Sequence, residues 1–226
     1  MIQRILKEVI ADVFFKGKAI IILGPRQVGK TTLIQKLLEK KTHLFLNGDD
    51  PMVRDLLTDA STFKLEQIIG RHTVIFIDEA QRIANIGLTL KIITDQFKHV
   101  QLLISGSSTL EINNTAQESL TGRKFEYSLY PISWEEFENN VGFLAAEQQL
   151  EHRLVYGMYP DVINNSPDEH QVLRQLTTSY LYQDILALTG IRKPELLERL
   201  LKALALQLGN EVSYNELANL LGADKT

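Results

Sequence analysis

The chain has 226 residues, of which 44% are apolar and 23% charged, so it is an ordinary globular sequence and not a disordered one. It has no cysteine, which excludes disulfides, thiolate metal sites and cysteine nucleophiles. A formal net charge of -4 gives no overall attraction for nucleic acid or an anionic membrane.

Ile2, Ile5, Leu6, Val9, Ile10 and Val13 recur at helical spacing, so the chain is expected to open with an amphipathic helix. This segment has no signal-peptide hydrophobic stretch or cleavage site. Apolar runs such as Ala19 to Leu23 are far too short to cross a bilayer. The expectation is a soluble cytoplasmic protein with no membrane partner.

Ala19-Ile20-Ile21-Ile22-Leu23 is an apolar, β-branched run of the kind buried on both faces of a parallel sheet. His43 to Leu46, Thr73 to Ile77 and Val100 to Ile104 share that character. Helical patterns lie around Thr31 to Lys40, Met52 to Leu57, Phe63 to Ile69 and Ile86 to Phe97. Strands alternating with helices predict an α/β fold, an open parallel sheet covered on both faces. A fifth strand is expected from Lys124 to Tyr130, stopped by Pro131.

After Ser133 helical periodicity dominates. Leu173, Leu176, Tyr180, Leu181, Ile185 and Leu188 share one face, and a further helix follows Pro194 and stops near Gly209. Ser213-Tyr214-Asn215-Glu216 has the spacing of a capping box and opens a short helix ending at Gly222. Ala223 to Thr226 reads as the start of another helix, so the last domain is expected to be cut off. The expected division is 1–140, 141–209 and 210–226.

The strongest motif is Gly24-Pro25-Arg26-Gln27-Val28-Gly29-Lys30-Thr31, a complete G-x-x-x-x-G-K-[ST] between a buried strand and an amphipathic helix. Such a loop turns backbone N–H groups toward a phosphate chain, and the helix adds its positive dipole end. Lys30 is expected to reach the β- and γ-phosphates and Thr31 to ligate magnesium, with Thr32 continuing the binding segment. Arg26 and Gln27 sit within the loop without an assigned role.

Val74-Ile75-Phe76-Ile77-Asp78-Glu79 is an apolar strand ending in two carboxylates. Asp78 is expected to hold magnesium and Glu79 to act as the general base for water. Leu102 to Ile104 leads into Ser105-Gly106-Ser107-Ser108, and Ser107 is expected to sense the γ-phosphate or position water. Arg123, after Gly122, is a candidate arginine finger acting on a neighbouring subunit in a homo-oligomer. The five histidines have no ligand spacing.

With these motifs the chain resembles the AAA+ ATPases, in particular the prokaryotic branch in which the ATPase domain precedes a winged helix and a domain of unknown function. The residues that carry the resemblance are Gly24 to Leu33, Asp78-Glu79-Ala80-Gln81-Arg82, Ser105 to Ser108 and Leu120-Thr121-Gly122-Arg123. Tyr130 to Phe137, Tyr159-Pro160 and Ser213 to Gly222 extend it over nearly the whole chain. It implies a five-stranded AAA-type sheet, ATPase activity with ATP and Mg2+, a small helical region and the beginning of a winged helix. Gly157-Met158 departs from the paired glycines usual in that branch.

The leading expectation is an ATPase whose hydrolysis drives or times a conformational change. The alternative is a nucleotide-gated regulatory or DNA-binding module with a protein or DNA partner at its C-terminal region. A small-molecule kinase lacks an arginine-bearing lid here, and a GTPase lacks an Asn-Lys-x-Asp. The adenine preference comes from the resemblance alone.

Overall fold

Strand β1, Ala19–Leu23, is buried at every position, and its side chains alternate between two separate cores. Ala19, Ile21 and Leu23 face one core; Ile20 and Ile22 face the other. A strand between two apolar layers needs a continuous apolar run, and that is what the sequence shows. The computed structural model describes residues 2–106, 119–177 and 194–222.

The remaining strands are β2 (Leu44–Asn47), β3 (Val74–Asp78), β4 (Gln101–Gly106) and β5 (Lys124–Ser128). They form one parallel sheet in the order β2-β3-β4-β1-β5. Helix α1 (Leu6–Ala11) and helix α2 (Lys30–Leu38) cover one face through Ile10, Leu33, Ile34 and Leu38. Helices α3 (Pro51–Leu57), α4 (Thr62–Ile69) and α5 (Ile86–Gln96) cover the other, through Leu57, Leu65, Ile69, Ile86, Leu90 and Ile93. Each fully buried Ile or Leu of these layers stabilises the fold by roughly 1.5–3 kcal/mol relative to exposure.

The opening helix and the fifth strand are both shorter than expected. The opening helix is only Leu6–Ala11, and residues 2–4 lie outside it. The apolar spacing of Ile2 and Ile5 is helical, but Ile2 packs elsewhere, beside Ile132, Phe137 and Ala146. The fifth strand ends at Ser128, two residues early, and Leu129 instead closes over the end of β1 by donating its N–H to Leu23 O at 2.7 Å.

The helices after the sheet begin with α6 (Trp134–Val141), opened by a complete capping box between Ser133 and Glu136. Next come α7 (Phe143–Tyr156), α8 (Pro160–Asn164) and α9 (Glu169–Leu176). The chain separates into two compact units, Met1–Glu169 and His170–Thr226. The first runs past residue 140 because Phe137 of α6 and Ala146 of α7 share a small core with Ile132 and Ile2.

The second unit contains α10 (Pro194–Leu206) and α11 (Tyr214–Leu221). Ser213 accepts a hydrogen bond from Glu216 N at the start of α11, and Gly222 ends it in a left-handed cap. Tyr180, Leu181, Ile185, Leu188 and the segment Ala223 to Thr226 lie outside the described residues.

Candidate functional site

Every strand of a parallel sheet points its C-terminal end the same way, so the loops after β1, β3 and β4 share one edge. The register aligns them closely. Leu23 pairs with Gly106, Ile22 with Ser105, and Ile77 with Ile104, so Ser105 lies between the end of β1 and Asp78.

The loop after β1 has little room behind it. A Cβ at Gly24 would stand 2.2 Å from the Leu129 carbonyl oxygen, so only glycine fits that turn. Val28 plugs the underside of the loop and is fully buried, whereas Pro25, Gln27 and Thr32 are exposed around its rim. Gln27 adopts a left-handed conformation (φ 61°), which is uncommon outside glycine. Gly29 caps α2, and Lys30 and Thr31 are its first two residues.

Lys30 is 5% exposed, and its Nζ donates to the Gly24 and Pro25 carbonyls at 2.9 and 2.8 Å. The ammonium group therefore sits inside the loop's own curve, where phosphate oxygens would meet it. The Thr31 hydroxyl donates to Asp78 Oδ2 at 2.8 Å. Asp78, the last residue of β3, is buried, and its other oxygen accepts from the buried Ser105 hydroxyl. A hydroxyl and a carboxylate held together this way are hard oxygen donors suited to Mg2+.

Glu79 follows in a left-handed conformation (φ 51°, ψ 44°) that turns the chain into a short 3₁₀ turn, Ala80–Arg82. Its carboxylate is held by Gln81, whose Nε2 donates to Oε2 at 2.5 Å. Gly48, after β2, supports this turn from behind. Its N–H donates to Asp78 O at 2.8 Å, and a Cβ there would lie 2.4 Å from the Glu79 carbonyl oxygen.

The structure thus gathers Gly24 to Thr32, Asp78 and Glu79 at one edge. Arg123 is not among them. Its carbonyl accepts from Ala19 N, at the opposite end of β1, about 15 Å away by strand rise. Its Nε donates to Asp95 Oδ1 at 2.6 Å, and that contact holds the Asp95 carboxyl below its ordinary range. Ser107 and Ser108 lie outside the described residues.

Sequence reasoning missed several contributors. Ser105 was one of four neighbouring small residues, and only the register shows that it is the one on Asp78. Arg4 and Glu136, 132 residues apart, form an ion pair at 3.0 Å, and Arg4 also donates to Val28 O. Beside them a cavity of about 290 Å³ opens against Gly29 and Thr32, walled by Ile2, Leu33, Ile132 and Pro160.

The family of the AAA domain matches residues 16–138, more than half of the chain. The chain belongs to the AAA domain family. A domain of unknown function matches residues 147–226 of this AAA protein. An uncharacterized protein of Methanocaldococcus jannaschii is 22% identical over 223 residues, covering 91% of this chain and 50% of its own. An uncharacterized protein of Mycobacterium tuberculosis is 28% identical over 214 residues, covering 93% and 46%. The chain therefore spans about half the length of the curated relatives it matches. A Walker-type ATPase of Pyrococcus abyssi superposes with a TM-score of 0.61 at 14% identity, covering 98% of this chain and 88% of its own. The fold is accordingly the P-loop α/β fold of AAA type. Among the described residues, no helix is long and apolar enough to cross a membrane.

Proposed function

We propose that this AAA protein binds MgATP at the edge formed by Gly24 to Thr32 and hydrolyses it with Glu79 as general base. The observation that carries this is the convergence of Lys30 and Thr31, from the start of α2, with Asp78 and Glu79, from the end of β3, at the loop after β1. Backbone N–H groups of Gly24 to Thr32 and the Lys30 ammonium would hold the phosphates. Thr31 and Asp78 would hold Mg2+, which when bound neutralises charge on the phosphate oxygens. Asp78 stays oriented for that task because Ser105 occupies its second oxygen.

Glu79 would take a proton from a water whose oxygen attacks the γ-phosphorus. The bond from that phosphorus to the bridging oxygen breaks, and ADP and inorganic phosphate leave. Gln81 restrains the Glu79 carboxylate, so the base has a defined direction before substrate arrives. The 290 Å³ cavity beside Gly29 and Thr32 supports a place for the base and ribose. Ile2, Leu33 and Ile132 would offer apolar surface to a base, and Gln3, Asn164, Lys7 and Lys36 would supply polar groups.

Arg123 would act in trans on a neighbouring copy, because within one chain it stands at the opposite edge of the sheet from Lys30. Ser107 would sense the γ-phosphate. The alternative, a nucleotide-gated regulator with a protein or DNA partner, is favoured by the α11 helix, opened by Ser213 like the first helix of a winged helix.

The test is MgATP turnover measured three ways: alone, with small-molecule phosphate acceptors, and with DNA. Turnover without acceptor supports the ATPase, and acceptor-dependent transfer overturns it. ATP-dependent retention on DNA with negligible turnover supports the regulator.

A further inference from the structure

Arg4 stands just before α1, where the chain has not yet become helical. Its guanidinium ties the N-terminal stretch to two regions distant in sequence, the loop after β1 and residues 130–136. Nη1 donates to Val28 O at 2.8 Å, inside the phosphate loop. Nη2 donates to Tyr130 O at 2.5 Å and to Pro131 O at 3.3 Å. Nε donates to Glu136 Oε2 at 3.0 Å.

The other oxygen of Glu136 accepts from Ile5 N at 2.8 Å, so the carboxylate holds the same N-terminal stretch by its backbone. Oε2 also accepts from Ser133 N at 3.0 Å and thereby caps α6. Arg4 and Glu136 side chains are 10% and 5% exposed. A planar guanidinium with several fixed donors reaches four acceptors here, more than the three N–H groups of a lysine ammonium could serve at these spacings.

Arg4 and Val28, joined by one of these bonds, both line the cavity beside the phosphate loop. Ile2, Gln3, Lys7, Gly29, Lys36 and Ile132 line it as well. One guanidinium therefore ties the N-terminal part of that lining to the loop and to the stretch just before Ile132.

We propose that Arg4 is a positioning residue of the nucleotide site. It holds the N-terminal segment as a wall against the base and ribose, and it does so without touching the phosphates. This rests on the reading of that cavity as the base site. Arg4 would then govern how strongly a nucleoside triphosphate is held beyond its phosphate chain.

The experiment compares calorimetric binding of MgATP and of magnesium tripolyphosphate, which lacks base and ribose. It uses the parent chain, Arg4→Ala, Arg4→Lys and Glu136→Gln, with melting curves for each. The expected result is ATP affinity reduced about tenfold or more in both Arg4 variants, and less in Glu136→Gln. Tripolyphosphate affinity should stay within about twofold, since the bonds of Lys30 and Thr31 do not involve Arg4. In turnover, KM for ATP should rise while kcat is little changed, the mark of lost uniform binding.

Equal loss of both ligands would show a general structural tie and overturn the proposal, as would unchanged ATP affinity. If Arg4→Ala fails to fold, Arg4→Lys and Glu136→Gln decide by the same ratio. A parent chain that binds tripolyphosphate but gains nothing from the base leaves the phosphate loop standing and overturns Arg4's role. A parent chain that binds neither ligand overturns the nucleotide reading and this inference with it.

Discussion

The Thr31 hydroxyl donates to Asp78 Oδ2 across 2.8 Å, and this bond joins the start of α2 to the end of β3, 47 residues later. It brings the two proposed magnesium ligands together. Asp78→Asn keeps the shape but removes the negative charge and replaces one oxygen by an amide nitrogen. It should weaken the magnesium dependence of nucleotide binding by about 10–100-fold. Titrating Mg2+ at fixed ATP checks this, and an unchanged midpoint would remove Asp78 from the metal shell.

Glu79→Gln should retain MgATP binding and lose turnover by about 10²–10⁴-fold, the usual contribution of a general base. Glutamine preserves size and can still face Gln81, so the turn should hold. Binding and single-turnover hydrolysis measured on one preparation separate the two effects. Turnover near the parent rate would place the base elsewhere.

Gly48 can be tested independently of chemistry. A methyl group there would stand 2.4 Å from the Glu79 carbonyl, a backbone atom that cannot rotate away. Gly48→Ala should cost about 1–3 kcal/mol of stability by overpacking and should also depress turnover by displacing Glu79. Denaturant melts and steady-state rates together would show it. A variant that melts like the parent would mean the Glu79 turn is softer than its packing implies.

Much of this site can be read in the sequence. Gly24 to Thr31 and Asp78-Glu79 each follow an apolar strand, and both periodicity and spacing are local properties. What is missing from a local reading is pairing. That β4 inserts between β3 and β1 depends on which strands bond, and this order alone puts Ser105 on Asp78. The Arg4–Glu136 pair spans most of the first unit, so no window of residues reveals it. Residues 2–4 kept a helical pattern and yet left the helix, because Ile2 and Arg4 have better partners across the chain. Arg123 was legible as an arginine before a strand, but not as one paired with Asp95 at the far edge.

That placement gives Arg123 its own test. Arg123→Ala should lower turnover at protein concentrations where copies associate and have little effect at high dilution. Asp95→Asn, which leaves Arg123 without its 2.6 Å carboxylate partner, should act in the same regime. Rates measured across a dilution series check both. Equal loss of rate at every dilution would contradict a role in trans.

Glu169 provides a pH prediction remote from the chemistry. Its side chain is 2% exposed, and the hydrogen bond with His152 at 2.7 Å is the main reason its carboxyl is lowered to about 2. A carboxylate with a depressed folded-state pKa stabilises fully above its unfolded value, near 4.5, and that stabilisation fades as pH falls toward 2. Thermal melts of Glu169→Gln should therefore show lower stability than the parent at neutral pH, with the gap closing across that acid window. A gap that stays constant down to pH 2 would mean the difference is packing rather than charge.

The central claim is that the edge built by Lys30, Thr31, Asp78 and Glu79 hydrolyses ATP. Its most direct test is phosphate release from MgATP by the purified chain, with Lys30→Ala and Glu79→Gln prepared in parallel. Turnover is expected in the parent and abolished in both variants, with ATP binding kept in Glu79→Gln but lost in Lys30→Ala. Phosphate release that survives both substitutions would contradict it.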